Sequence, residues 1–201
     1  DRGISYDLII DNIREPNSTQ FVKKVVKEGD IVFDIGANIG YYVLIESQLI
    51  GNGKILAIEP ELGNFKNLKR NIEMNKKKGI EFLNAAIWDK EGMMDMNISA
   101  YSNMHTLYHD RGSKAYAHNR IVGKRKVKVF TLDSICKKYK MYPNFVRMDV
   151  QGGEYNIIRG MKDVLKQKRP LTIFMELHPQ MMKEEHTLSM LKTLKNNGFD
   201  I

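Results

Sequence analysis

Short apolar runs alternate with amphipathic stretches along this chain of 201 residues. Ile31 to Asp34 has the pattern of a buried strand that ends on a carboxylate. Lys54 to Ile58, Ile80 to Asn84, Phe145 to Val150 and Leu171 to Met175 read as further core strands. Phe21, Val22, Val25 and Val26 fall on one helical face, with Ser18 or Thr19 as the expected cap. Tyr41 to Ile45 opens a second helix, and Leu62, Phe65, Leu68 and Ile72 give a third. A helix starts at Tyr155, and Met181 to Asn197 forms the last one, closed by Gly198. Outside this rhythm, Tyr6 to Ile10 is a short strand candidate. Met93 to Ile98 and Lys124 to Phe130 alternate like strands, and Thr131 to Ser134 starts a short helix. Strands alternating with helices imply a mainly parallel sheet with right-handed crossovers. The expected architecture is α/β, a single domain over residues 1–201 with an N-terminal extension at 1–17. Residues 99–123 lack periodicity and carry Tyr101, Ser102, Asn103, His105, Thr106, Tyr108, His109, Arg111, Tyr116 and His118. A long polar loop of this kind is expected at an active site.

The first strand leads into Asp34-Ile35-Gly36-Ala37-Asn38-Ile39-Gly40 and then a helix. A strand that turns through glycines into a helix N-terminus is where α/β proteins hold nucleotide-like ligands. The spacing selects among them. The dinucleotide fingerprint needs glycines where Asn38 and Tyr41 stand, so NAD and FAD are disfavoured. The ATPase phosphate loop is absent as well. The second strand ends in Glu59-Pro60, where a carboxylate can accept hydrogen bonds from both hydroxyls of a ribose. This pair resembles the first two motifs of methyltransferases that use S-adenosylmethionine (SAM). After the third strand, Asn84-Ala85-Ala86 offers small residues against which a flat ring can lie, while Trp88 is expected to pack.

Charge changes this picture little. The net charge is +8, from 32 basic and 24 acidic residues. The basic residues are spread over helix ends and strand edges, with no interleaved aromatics, so a nucleic-acid partner is the lesser expectation. Cys136 is the only cysteine, which suggests a reducing, cytoplasmic setting. No apolar run is long enough to span a bilayer. His105, His109 and His118 lack a carboxylate or cysteine at ligand spacing, so no metal is expected. The chain starts at Asp1 and stops where Phe199 to Ile201 would open a strand, as if cut from a longer protein.

The motifs together resemble the FkbM family of methyltransferases. The resemblance rests on Asp34 to Gly40, Glu59-Pro60, Asn84-Ala85-Ala86, Thr131-Leu132-Asp133, Met148 to Glu154 and Glu176-Leu177-His178-Pro179, in that order. It implies a Rossmann-like class I sandwich whose seven-stranded sheet ends in an antiparallel hairpin. It also implies SAM as cofactor, bound by Asp34, Gly36, Ala37, Asn38, Gly40, Glu59, Pro60, Ala85, Ala86 and Asp149. The methionine part would lie on Gly36 to Gly40, the ribose on Glu59 and the adenine on the Asn84 to Ala86 loop. Asp149, His178 and Glu176 are the candidate catalytic residues, and the implied acceptor is a hydroxyl of a sugar, glycan or small metabolite. The family usually reads Lys-x-Asp-x-Glu-Gly-x-Glu in the fourth motif. Here Arg147 replaces the Lys and Gln151 the first Glu. An amide neither takes a proton nor carries charge, so a degenerate SAM-binding module is a second reading. RNA methylation is a third, favoured by the net charge. Against it, Asp149-Val150-Gln151-Gly152 lacks the Pro-Pro-aromatic run common among base-methylating enzymes.

Overall fold

The computed structural model describes residues 4–108 and 120–201. Its strands are β1 (Ile31–Ile35), β2 (Lys54–Ile58), β3 (Ile80–Leu83), β4 (Ala86–Ile87), β5 (Gly92–Ser99), β6 (Ile121–Phe130), β7 (Phe145–Met148) and β8 (Thr172–Met175). Its helices are α1 (Ile4–Asp11), α2 (Pro16–Val25), α3 (Tyr41–Leu49), α4 (Leu62–Met74), α5 (Leu132–Tyr139), α6 (Glu154–Arg159), α7 (Lys162–Leu165) and α8 (Glu184–Asn196), with a 3-10 turn at Pro179–Met181. The main sheet is parallel, in the order β3-β2-β1-β7-β8. Its strands are short and apolar on both faces, because helices cover both. Val32, Ile55, Ala57 and Phe145 pack under α2, α3 and α4 through Val22, Val43 and Leu68. Phe33, Leu56, Ile58 and Val146 face the opposite way, toward Ile135 of α5, Ile157 of α6, Val164 of α7 and Leu194 of α8. Among the described residues no helix is long and apolar enough to cross a membrane.

Three expectations change. Residues 6–10 lie inside the helix α1 rather than in a strand. A strand there would need a partner edge, whereas a helix satisfies its own backbone groups. Neither Ser18 nor Thr19 caps α2. The helix starts at Pro16, whose fixed φ suits a first turn. Thr19 is buried inside it instead, donating to Arg14 O and bonding the Tyr41 hydroxyl at 3.0 Å. The main sheet has the five expected core strands among the described residues, but Phe199 to Ile201 form no strand. β4, β5 and β6 make a separate three-stranded sheet around Met96, Val127, Val129 and Trp88. Lys124 to Phe130 is the second half of its longest strand, and residues 99 and 121–123 belong to strands rather than to the loop. His109, Arg111, Tyr116 and His118 lie outside the described residues.

The order of strands puts the reversal point between β1 and β7, and the ligand crevice of such a sheet lies at the carboxyl ends there. Gly36 makes this junction possible. Its φ is +82°, and a Cβ on it would come within 2.0 Å of the Asp149 carbonyl oxygen. Gly198 has a similar φ of +83° but open space around it. In urea unfolding, Gly198→Ala is therefore expected to lose only the ~1–2 kcal/mol of a left-handed residue. Gly36→Ala should lose clearly more. Equal losses would show that the close approach of Asp149 carries no energetic weight.

Candidate active site

The crevice is built first from backbone. Gly36 N and Ala37 N both donate to Ile58 O, at 2.9 and 3.0 Å, which ties the turn after β1 to the end of β2. Asn38 takes a left-handed conformation, φ 50°. Its backbone N donates to Glu59 Oε2 at 2.9 Å, and Glu61 N donates to Glu59 Oε1 at 2.8 Å. Both carboxylate oxygens of Glu59 are thus pinned, and each keeps a further lone pair free to accept. Asn84 donates its amide to the carbonyls of Glu59 and Pro60, at 2.9 and 3.1 Å, bracing the same tip from β3. Ala85 and Ala86 continue the wall, backed by buried Trp88.

A roof crosses this crevice. Ser102 O accepts from Asn38 Nδ2 at 3.1 Å and from Asn64 Nδ2 at 2.7 Å. Thr106 Oγ1 donates to Gln151 O at 2.6 Å on the other side. His105 lies in the roof, and burial holds it below its ordinary pKa. At the open end, Ile4, Arg14 and Tyr41 complete the lining.

Charge is concentrated at the β1–β7 seam. Register puts Asp34 opposite Arg147. The guanidinium bonds Asp34 Oδ1 at 3.0 Å, reaches Asp149 Oδ2 at 3.4 Å and lies 3.9 Å over the Tyr42 ring. Burial pushes the Asp34 carboxyl up, and Arg147 pulls it back. The carboxyl oxygens of fully buried Glu46 have no hydrogen-bond partner among the described residues, and burial raises this carboxyl well above the ordinary range. Gln151, also at positive φ, donates its amide to Asp149 Oδ1 at 2.9 Å. Beyond Asp149, His178 Nδ1 lies 2.7 Å from Glu154 Oε1, and its Nε2 lies 3.5 Å from Glu176 Oε1. Donor atoms of Asp149, Glu176 and His178 all fall within 4.8 Å of one another.

The structure brings most of the candidate residues together. Gly36, Ala37, Asn38, Glu59, Pro60, Ala85, Ala86 and Asp149 line one crevice. Asp34 does not line it; its carboxylate is buried behind the wall on Arg147. Gly40 does not line it either, and serves helix packing: a Cβ there would meet Leu68 Cδ1 at 2.7 Å. His178 and Glu176 stand outside the crevice, next to its Asp149 rim. The sequence reading gave no role to Glu154 or to Asn64. Helical spacing from Gly152 marks Glu154 as a first-turn residue, but nothing local signals that it meets His178. Glu61 was likewise missed; it caps α4 through Asn64 N and pairs with Arg125.

A strand order that reverses at a glycine turn, with a carboxylate on the next strand tip, places this chain among Rossmann-like methyltransferases. It superposes on precorrin-6y C5,15-methyltransferase from Geobacter metallireducens GS-15 with a TM-score of 0.54 at 14% identity, covering 92% of this chain and 72% of that one. A putative rRNA-methylase from Clostridium thermocellum gives a TM-score of 0.55 at 14% identity, covering 94% and 82%. At such identity the likeness is one of fold. The chain belongs to the FkbM methyltransferase family, whose Methyltransferase FkbM domain matches residues 34–201. It is 22% identical over 151 residues to "Methyltransferase 1" of Beauveria bassiana (strain ARSEF 2860), a match covering 68% of this chain and 60% of that protein.

Glu59 generates a pH prediction. Burial pushes its carboxyl from an ordinary 4.5 up to about 8, against the opposing pull of the Glu61 and Asn38 amides. Between those values the empty folded protein holds a proton that the unfolded chain has released. Unfolding then releases a proton, and stability falls as pH rises through this window. Denaturant midpoints should decline from pH 5 to pH 8, and Glu59→Gln should flatten part of the decline. Glu46, raised in the same sense, keeps the remainder. A decline as steep in Glu59→Gln as in the parent would remove Glu59 as its source.

Proposed function

We propose that this domain binds SAM and transfers its methyl group to a hydroxyl of a sugar, glycan or small metabolite. The observation that carries the reading is Glu59, which lines the crevice and is held there by two backbone amides. A ribose offers two adjacent hydroxyls to such a carboxylate. Gly36, Ala37 and Asn38 take the methionine portion, and Ala85 and Ala86 flank the adenine. Methyl transfer from a sulfonium is an in-line displacement, so aligning donor and acceptor does most of the work. A hydroxyl attacks well only as its proton leaves, and a base in reach adds ~10²–10⁴ in rate. Asp149, on the crevice rim, and Glu176 and His178 beside it are the groups that would take that proton.

Gln151 bears on whether the site is active. Its amide donates to Asp149, so it braces the loop. A brace is compatible with activity, and this favours a working enzyme over a degenerate SAM-binding module. RNA methylation draws on the net charge of +8, but the segment after Asp149 reads Val150-Gln151-Gly152, without the Pro-Pro-aromatic run. The single cysteine, Cys136, is buried and suits a reducing compartment such as the cytoplasm.

Calorimetry with SAM and S-adenosylhomocysteine tests the cofactor. Micromolar binding is expected, weakened tenfold or more in Glu59→Ala, because a buried hydrogen bond lost costs ~1–3 kcal/mol. A folded sample that binds neither compound would end the reading. A methyl-transfer screen over sugars, lipids and RNA with labelled SAM tests the acceptor. On the acceptor so found, His178→Ala and Asp149→Asn should keep SAM affinity within about tenfold while turnover drops by ~10² or more. Normal turnover in both variants would leave alignment alone to carry the reaction.

A further inference from the structure

We propose that Glu154 and His178 form a buried proton-accepting dyad that serves an aliphatic hydroxyl acceptor, with Glu154 as the positioning residue. The inference rests on the methyl-transfer reading and gives a role to a residue which that reading leaves unused. Glu154 is fully buried, and His178 is 6% exposed. Their contact at 2.7 Å is the shortest polar contact of either side chain among the described residues. Gly152 N donates to the same Glu154 oxygen at 3.2 Å, which fixes the carboxylate from the loop that carries Gln151. Glu154 Oε2 has no hydrogen-bond partner among the described residues. This is a carboxylate with one strong partner, the imidazole.

The geometry sets the tautomer. An ionised carboxylate only accepts, so His178 Nδ1 carries the hydrogen and Nε2 is left bare. Nε2 lies 3.5 Å from Glu176 Oε1, beside the Asp149 rim. A buried carboxylate behind an imidazole holds the ring in one orientation and stabilises the cation formed when the ring takes a proton. In the reaction, the acceptor oxygen attacks the methyl carbon and an O–C bond forms. The S–C bond breaks, and its electron pair stays on sulfur as a neutral thioether. The hydroxyl proton passes to Nε2 and leaves to solvent past half-exposed Glu176. A carboxylate acceptor, already ionised at neutral pH, needs no such help; an alcohol does.

The charged groups around the ring act in one sense. Burial pulls His178 down, but the hydrogen bond and charge of Glu154, with the charges of Asp149 and Glu176, hold it above its ordinary 6.5. Arg147 stands behind Asp149. A cation shared by Asp149, Glu176 and His178 is the competing use of the same atoms. Asp149 speaks against it: one oxygen is bonded by the Gln151 amide and the other is approached by the Arg147 guanidinium. The positive charge that a cation would bring is already there.

The test is imidazole NMR on protein labelled with 15N-histidine, with the His178 signals assigned from His178→Gln. The expected result is an Nδ1–H tautomer whose titration midpoint lies above 6.5. In Glu154→Gln the midpoint should move to lower pH by roughly tenfold in proton concentration, since the amide still bonds but carries no charge. A purely structural hydrogen bond would leave the midpoint unmoved and overturn the proposal. An Nε2–H tautomer in the parent protein would overturn it too, even if Glu154→Gln does not fold. Broadening of the His178 signals by micromolar MnCl2 would make Nε2 a metal ligand and end the dyad. SAM calorimetry on the same sample separates the two readings: binding without the dyad sinks only this inference, and a dyad without binding sinks only the cofactor.

Discussion

Arg147 is the contact on which this molecule depends. It joins Asp34 of β1 to Asp149 beyond β7 and lies flat on Tyr42 of α3. An ion pair this buried is not a source of stability in itself, because both charges give up water to form it. Removing one partner is another matter, since a lone buried charge costs about 3–5 kcal/mol. Asp34 and Arg147 are therefore obligatory to each other. Arginine suits the place better than lysine: its planar head reaches two carboxylates and a ring face at once. The seam between the two strands is where a doubly wound sheet opens, so the same guanidinium that holds the sheet together also sets the rim of the crevice.

Around this seam, recognition is assigned to backbone more than to side chains. Glu59 is aimed by the amides of Asn38 and Glu61, and the turn itself hangs on the Ile58 carbonyl. Groups fixed in this way lose little entropy when a ligand arrives. The side chains that remain adjustable, Glu176 above all, sit outside the crevice. Such a division suits the proposed reading, in which the cofactor is held firmly and the acceptor is met elsewhere.

The core strands were legible because each is a short apolar run bounded by glycine or a carboxylate. The crevice residues were legible because D-x-G-x-x-x-G and Glu59 sit at strand tips, where topology alone delivers them to one edge. Asp34 and Gly40 belong to the same motif, yet they face inward, to Arg147 and Leu68. A motif marks a turn without stating which of its residues serve the ligand and which serve packing. α1 was misread because Ile9 and Ile10 suggest a strand and only tertiary context decides. Glu154 was passed over because its partner is 24 positions away in sequence. Local pattern carries no information about such a pair.

The roof has a different thermodynamic character from the walls. Walls are strands, held by dozens of cooperative contacts. The stretch from Ser102 to Thr106 is held by a handful of bonds: two amides share the Ser102 carbonyl, Thr106 reaches Gln151 and pairs its backbone with Asn97 in both directions, and His105 accepts from Ser99 N. Each such bond contributes about 0.5–1.5 kcal/mol net. Opening the strap breaks these bonds alone, so it costs no more than global unfolding. Asn38 holds both the strap, through Ser102 O, and the turn after β1, through Glu59. On the proposed reading, movement of that one asparagine would couple how long a spent cofactor stays to how readily the acceptor side is exposed, so a turnover rate could be set here without any change in the reacting groups.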